Sequence, residues 1–255
     1  MIPVSEARDK ILSLVEPLGA EDVPLARAAG RVLARDVTAT RDQPPFAASS
    51  MDGYAVKSAE VERDAMFRVI GESAAGARFE GSVGPGEAVR IFTGAPVPEG
   101  ADAILIQEDA ERTDDGALVP TEAVLAGQHI RAAGVDFSAG TVLLGAGTRL
   151  TPGAVALAAS GGHPVLAVLD RPKVAVLATG HELVPPGEVV GPSQIVASNS
   201  YGVAALVEAA GGSVVDCGIA PDREDVIAGH LDRALAEGCD CFVTIGGASV
   251  GDHDL

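Results

Sequence analysis

With 255 residues, of which 47% are hydrophobic and 21% charged, the chain can fill the cores of two domains, which excludes a disordered protein. Its 36 acids against 18 bases give a formal charge of -18, and without a basic cluster or many aromatics such a chain is expected to bind neither nucleic acid nor an anionic membrane. It shows no charged-then-apolar leader and no apolar run of the roughly 20 residues that span a bilayer, so the expected compartment is the cytoplasm.

The first element is an amphipathic helix, since Val4, Ala7, Ile11, Leu14 and Val15 recur at helical spacing behind Ser5 and Pro17 stops the run. A second short helix is expected near Pro24. From about residue 41 to 140, glycine and proline punctuate short apolar runs such as Phe67-Arg68-Val69-Ile70, Ala88-Val89-Arg90-Ile91 and Ala103-Ile104-Leu105-Ile106, which predicts a mostly β segment. Thr151-Pro152 then starts a helix, Gly161-Gly162 ends it, and Val165 to Leu169 reads as a strand.

Beyond Pro172 the order is strand Lys173 to Ala178, helix around Tyr201 to Ala210, strand Ser213 to Cys217, helix Arg223 to Ala236 and strand Cys241 to Thr244. This alternation predicts a parallel sheet with right-handed crossovers. No helix follows the third strand, so one sheet face lacks a cover and this domain is expected to be cut short. Cys217, Cys239 and Cys241 match neither a zinc pair nor a redox CxxC and read as buried strand residues of a reducing compartment. Tyr201 and Phe242 read as core. His129, His163 and His230 lack partners at ligand spacing and read as structural or solvent-facing.

Four segments carry chemistry. The first, Pro45 to Val56, holds Ser49-Ser50-Met51-Asp52-Gly53-Tyr54, in which a tight Asp-Gly turn presents one acid beside small residues. The second is Ile91-Phe92-Thr93-Gly94-Ala95-Pro96-Val97-Pro98. The third, Ala178-Thr179-Gly180-His181-Glu182-Leu183, leaves a buried strand with a glycine that lets backbone N–H groups approach a ligand and an acid facing the same crevice. The fourth, Thr244-Ile245-Gly246-Gly247-Ala248-Ser249-Val250-Gly251-Asp252-His253-Asp254, puts three glycines and a serine at a carboxyl strand end, which builds an anion cradle.

Together, and in this order, the four segments resemble the MoeA family of molybdopterin molybdenumtransferases, to which the gephyrin E domain belongs, and the resemblance runs from end to end. It implies a multidomain α+β and α/β fold: a discontinuous helical N-terminal domain (residues 1–40 and 141–171), a mostly β insert (41–140), and a partial three-layer α/β, MogA/MoaB-like molybdopterin-binding domain with a parallel sheet (172–255). It further implies Mg2+-dependent insertion of molybdate into adenylylated molybdopterin with release of AMP. Family members continue with the rest of the last domain and a small C-terminal β domain.

Matched position by position, the resemblance makes Asp52, Thr93, Asp136, Glu182, Asp222 and Asp254 catalytic and Glu182, Asp222 and Asp254 the metal set. It also makes Thr179, Gly180, Gly246, Gly247, Ser249 and Gly251 the substrate-binding loops. Asp222 has a second reading as a helix N-cap, Thr93 as a turn cap and Asp136 as a loop clasp. The resemblance implies a homodimer in which Asp52, Thr93 and Asp136 reach the partner's crevice, with a molybdopterin adenylyltransferase as upstream partner. Four positions depart from the family: His181 and Val135 replace usual acids, and Ile245 and Ala248 are conservative changes. Local relief from the acidic field is expected from metal, backbone N–H groups or cations such as Arg90, Arg131, Arg149 and Lys57. Two other readings stay open: a molybdopterin adenylyltransferase, whose fold matches residues 173–255, and a non-catalytic pterin-binding or scaffold module.

Overall fold

A computed structural model of the chain describes residues 2–62 and 64–247. In chain order its longer elements are α1 (Val4–Leu12), β1 (Ala20–Pro24), β2 (Gly53–Val56), β3 (Arg68–Ser73), β4 (Glu87–Ile91), β5 (Ala103–Ile106), α2 (Pro152–Ser160), β6 (Val165–Leu169), β7 (Lys173–Thr179), α3 (Asn199–Ala210), β8 (Ser213–Ala220), α4 (Glu224–Ala236) and β9 (Cys241–Ile245). They fall into two compact units, one of residues 36–146 with 152–164, the other of residues 2–35, 147–151 and 165–247.

The first unit is built on a four-stranded sheet in the order β3-β4-β2-β5, with β2 antiparallel to both neighbours and β3 parallel to β4. Strand alternation sends successive side chains to opposite faces, and here both faces are buried. Tyr54, Val56, Ala88 and Leu105 join Phe67 and Leu118 in one core. Ala55, Val89, Ile91 and Ile104 form the other with Val83 and Ala95. Gly53 starts β2 because the neighbouring backbone is too close for a side chain: an added Cβ would lie 2.1 Å from the Leu105 carbonyl oxygen. In the same unit α2 ends at Gly161, whose carbonyl accepts from both the backbone N–H and the hydroxyl of Thr40 at 2.9 Å, and His163 Nε2 lies 2.7 Å from the Thr38 carbonyl.

In the second unit β1 and β6 pair antiparallel from Ala20↔Leu169 to Pro24↔Val165. The nearly buried Arg31 donates from Nη2 to the Glu21 carboxylate and to the Leu169 carbonyl, both at 2.7 Å, which satisfies a charge that would otherwise be costly there. The rest is a parallel sheet in the order β8-β7-β9. Central β7 is buried from Val174 to Thr179, the continuous apolar run expected of a strand covered on both faces. From β7 the chain crosses through α3 to β8 on one side, then returns through α4 to β9 on the other. With right-handed crossovers, that reversal opens a crevice beyond the carboxyl ends of β7 and β9.

The short helix expected near Pro24 is present as a 3-10 helix, Leu25–Arg27, with Pro24 as its N-cap, directly after the β1 ladder. Other expectations fail. Tyr201 is 58% exposed on α3 and Phe242 only half-buried. Among the cysteines, Cys217 and Cys239 are half-buried and Cys241 is exposed; all three are free thiols. These side chains lie where the described residues leave the flanks of the three-stranded sheet thinly covered. Burial still raises the Cys217 thiol pKa, helped by neighbouring Cys239 and Asp216. Among the described residues, no helix is long and apolar enough to cross a membrane.

The two-faced core makes Leu105, 1% exposed, costly to truncate: Leu105→Ala should destabilise the first unit by about 2–5 kcal/mol in urea unfolding. Leu235→Ala, on a residue 61% exposed, should stay within about 0.5 kcal/mol of the parent.

Candidate functional site

At the crevice predicted by the strand order, three strand ends converge. The Gly180 N–H donates to the Ala220 carbonyl at 3.0 Å, tying the end of β7 to the end of β8. Beyond β9, Gly246 lies so close to β7 that an added Cβ would stand 2.4 Å from the Thr179 carbonyl oxygen and 2.7 Å from its Oγ1. Gly246 has φ 117° and Gly247 φ 58°, conformations that side-chain-bearing residues rarely adopt. The two glycines therefore bring backbone, with no side chain between, up to the buried Thr179.

Thr179 and Gly246 form a ridge shared by two clefts. One, about 260 Å³, is lined by Asp222, Ile227, Leu231 and Gly247. The other, about 220 Å³, is lined by Glu182, Leu183, Ser198 and Ser200. Glu182 and Asp222 thus line different sides of the ridge. The Glu182 carboxylate folds back over Gly180, where an added Cβ would lie 2.7 Å from Oε2. Asp222 does not cap the following helix: α4 takes Arg223 as its N-cap, with no capping side-chain bond, and Asp222 Oδ2 instead lies 3.4 Å from His181 Nδ1. Ser249, Gly251 and Asp254 lie outside the described residues.

The other unit holds a separate cluster. Asp52 Oδ1 accepts from both the backbone N–H and the hydroxyl of Thr93, each at 2.8 Å. These two bonds, the backbone one foremost, hold the Asp52 carboxyl below the usual carboxylate range, with Arg90 adding a smaller pull in the same direction. Thr93 is therefore a partner of the acid and not a turn cap. Asp136 behaves as a clasp of its loop, since its carboxylate takes Arg131 Nη2 at 2.6 Å and its N–H donates to the Gln43 carbonyl at 2.9 Å.

Of the cations expected to relieve the acidic field, three are committed to the protein's own acceptors. Arg131 holds Asp136; Arg149 donates to the Ala209 carbonyl at 3.2 Å; Arg90 donates to Gly53 and Gln107. Among the described residues no group of three His, Cys, Asp or Glu could hold a metal ion. An all-protein cage is therefore not formed by them. Glu182 and Asp222 are nevertheless hard oxygen donors of the kind Mg2+ takes one or two of while phosphate oxygens and water complete its shell, so the donor set fits that ion shared with a ligand.

Sequence reasoning missed two groups. Ser198 and Ser200, at the start of α3, line the Glu182 cleft; a Ser-Asn-Ser run ahead of an apolar helix signals a helix N-terminus, where N–H groups are free for anions. Arg90 was named as a candidate cation, but Gln107 and the bonds joining it to Arg90 left no signal, because Arg90's acceptors Gly53 and Gln107 are 37 and 17 residues away in sequence.

Residues 2–162 match the family described as MoeA N-terminal region (domain I and II), and residues 175–255 match that described as probable molybdopterin binding domain. The chain is 36% identical to a molybdopterin molybdenumtransferase of Haemophilus influenzae over 100% of its own length and 63% of the relative's. It is 39% identical to molybdopterin molybdenumtransferase 2 of Mycobacterium tuberculosis over 91% of its length and 58% of the relative's. A crystal structure of the molybdopterin biosynthesis moeA protein of Pyrococcus horikoshii superposes with a TM-score of 0.87 at 34% identity, covering 96% of this chain and 66% of that one. The chain thus spans about three fifths of the length of the curated relatives it matches.

Two outcomes follow from the site geometry. Gly246→Ala should cost about 1–3 kcal/mol through its backbone angle alone, and should push β9 from Thr179, seen as altered amide shifts at both strand ends. Thr93→Val should raise the Asp52 carboxyl pKa only part of the way to normal in a side-chain carbon titration, because the backbone N–H, the larger cause, remains. By the same sign, the stabilisation from this pair is complete above the usual carboxylate pKa and disappears as pH falls through the lowered value.

Proposed function

The chain belongs to the MoeA family, and on that premise we propose that it serves molybdenum cofactor biosynthesis by inserting molybdate into adenylylated molybdopterin, with Mg2+-dependent cleavage of the adenylyl phosphoanhydride and release of AMP. The observation that supports this most is the ridge of Thr179 and Gly246, where bare backbone at a parallel-sheet switch point is flanked by two clefts carrying one acid each. A ligand with a phosphate bridge between two bulky ends suits such a divided site: the bridge approaches Gly246 and Gly247, and each end enters one cleft.

In this proposal Thr179, Gly180, Gly246, Gly247, Ser249 and Gly251 bind and orient the ligand, while Glu182, Asp222 and Asp254 are the acids that would hold Mg2+ against its phosphate oxygens. Bound there, the ion would neutralise charge on the phosphoanhydride that a protein of charge -18 otherwise repels. Asp52 offers a carboxylate that stays ionised, with Oδ1 occupied by Thr93. Asp136, held by Arg131, shapes the loop beside it in sequence. The proposal also includes the three-domain division given above, a homodimer whose subunits share the site through Asp52, Thr93 and Asp136, an upstream molybdopterin adenylyltransferase, and a cytoplasmic location.

The deciding measurement is AMP release from adenylylated molybdopterin with Mg2+ and molybdate, for this chain and for one extended by the region its longer relatives carry. Molybdate-dependent release is expected from the extended chain. Adenylyl transfer from ATP without molybdate would favour the adenylyltransferase reading, and binding without turnover the scaffold. Glu182→Ala should abolish insertion with the fold intact, and mixed dimers of Asp52→Ala and Glu182→Ala subunits should regain activity if the site is shared.

A further inference from the structure

The two residues of the Asp52 cluster come from loops 41 positions apart in sequence, and the bonds between them do not by themselves fix where the pair sits. What lies behind it is Arg90, on β4 directly opposite Tyr54 of β2. Its guanidinium carbon is 5.0 Å from the centre of the Tyr54 ring and 4.8 Å from that of Phe92. Its nitrogens donate from Nη1 to the Gly53 carbonyl at 3.2 Å and from Nη2 to Gln107 Oε1 at 2.8 Å. The backbone N–H of Gln107 in turn donates to the Asp52 carbonyl at 3.1 Å.

Each contact falls within two steps of the site, Tyr54 lying two residues after Asp52. Gly53 follows Asp52, Phe92 precedes Thr93, and Gln107 binds the Asp52 backbone. A planar cation with a fixed fork of donors can satisfy two aromatic faces and two acceptors at once, which a lysine ammonium on a flexible stem cannot. We propose that Arg90 is the positioning residue of the Asp52–Thr93 pair, locking the three loop segments around it so that Thr93 takes Asp52 Oδ1 and the other carboxylate oxygen is presented outward. The inference rests on the reading of Asp52 and Thr93 as site residues only for its consequence in turnover; the geometric coupling is testable by itself.

The test uses Arg90→Lys and, on an exposed residue that carries little folding risk, Gln107→Leu. In the 255-residue chain, the Asp52 carboxyl titration and the Thr93 amide resonance are followed by NMR, with far-ultraviolet circular dichroism as a check on folding. Arg90→Lys keeps the charge but not the fork or the stacking; it should move the Asp52 midpoint toward the ordinary carboxylate value and the Thr93 amide toward that of a free amide. Gln107→Leu should move both in the same direction by less. In the extended chain Arg90→Lys should lower kcat by about tenfold to a hundredfold with KM little changed, as expected when a reacting group is misplaced by a fraction of an ångström. Folded Arg90→Lys with both resonances unmoved overturns the inference, as does an unmoved Gln107→Leu should the lysine variant not fold. If the resonances move while Asp52→Asn leaves turnover intact, the catalytic reading of Asp52 fails and the positioning role stands.

Discussion

The approach of Gly246 to the Thr179 carbonyl is the contact on which the sheet edge depends. Parallel strands end without a hairpin to bind them, so their carboxyl ends are held by whatever backbone contacts the loops allow. Here Gly246, just after β9, comes so close to β7 that a side chain would meet the Thr179 carbonyl, and its positive φ likewise favours glycine. The same constraint sets the shape of both clefts, since Thr179 and Gly246 are walls of each. A larger residue at Gly246 would press on Thr179, the other wall of both clefts.

Charge poses the second constraint. A chain of charge -18 would need local relief to take the anionic ligand proposed for it, and four of its guanidiniums are engaged by its own carboxylates: Arg31 on Glu21, Arg68 on Glu87, Arg131 on Asp136, Arg223 on Asp225. None of these pairs is free to meet a phosphate without abandoning a carboxylate. Neutralisation then falls to backbone N–H groups at glycine turns and helix starts, and to a cation brought with the ligand. Glu182 and Asp222, each on its own side of the ridge and neither held by an arginine, are consistent with that division.

Much of this was legible in the sequence, for reasons that differ by element. Helices and strands after Pro172 follow from alternating apolar runs, and the parallel order from their spacing, because local pattern and tertiary placement agree there. The proline start signal at Pro24 was legible as a short helix, whereas the pairing of β1 with β6 was not, because that strand lies more than 140 residues downstream and leaves no mark nearby. Tyr201 was misread because residue type predicts burial only where something packs above it. Of the site, the glycine loops and acids were visible as motifs; the separation of Glu182 from Asp222 was not, since both follow strand ends and only the sheet order tells which flank each takes.

The Asp52 pair shows why local chemistry is the more durable part of such a reading. A solvated acid is ordinarily interchangeable with its neighbours, but Asp52 has one oxygen engaged by Thr93, and those bonds lower its pKa. That arrangement spends the donors of Thr93 on orienting Asp52 Oδ1. Behind the pair, the Arg90 guanidinium stacks on Tyr54 and Phe92 and donates to Gly53 and Gln107, so the tyrosine that helps fill one hydrophobic core also anchors the cation beside the acid. The half-buried Asp52 is thus fixed through its sequence neighbours as well as through its own bonds to Thr93.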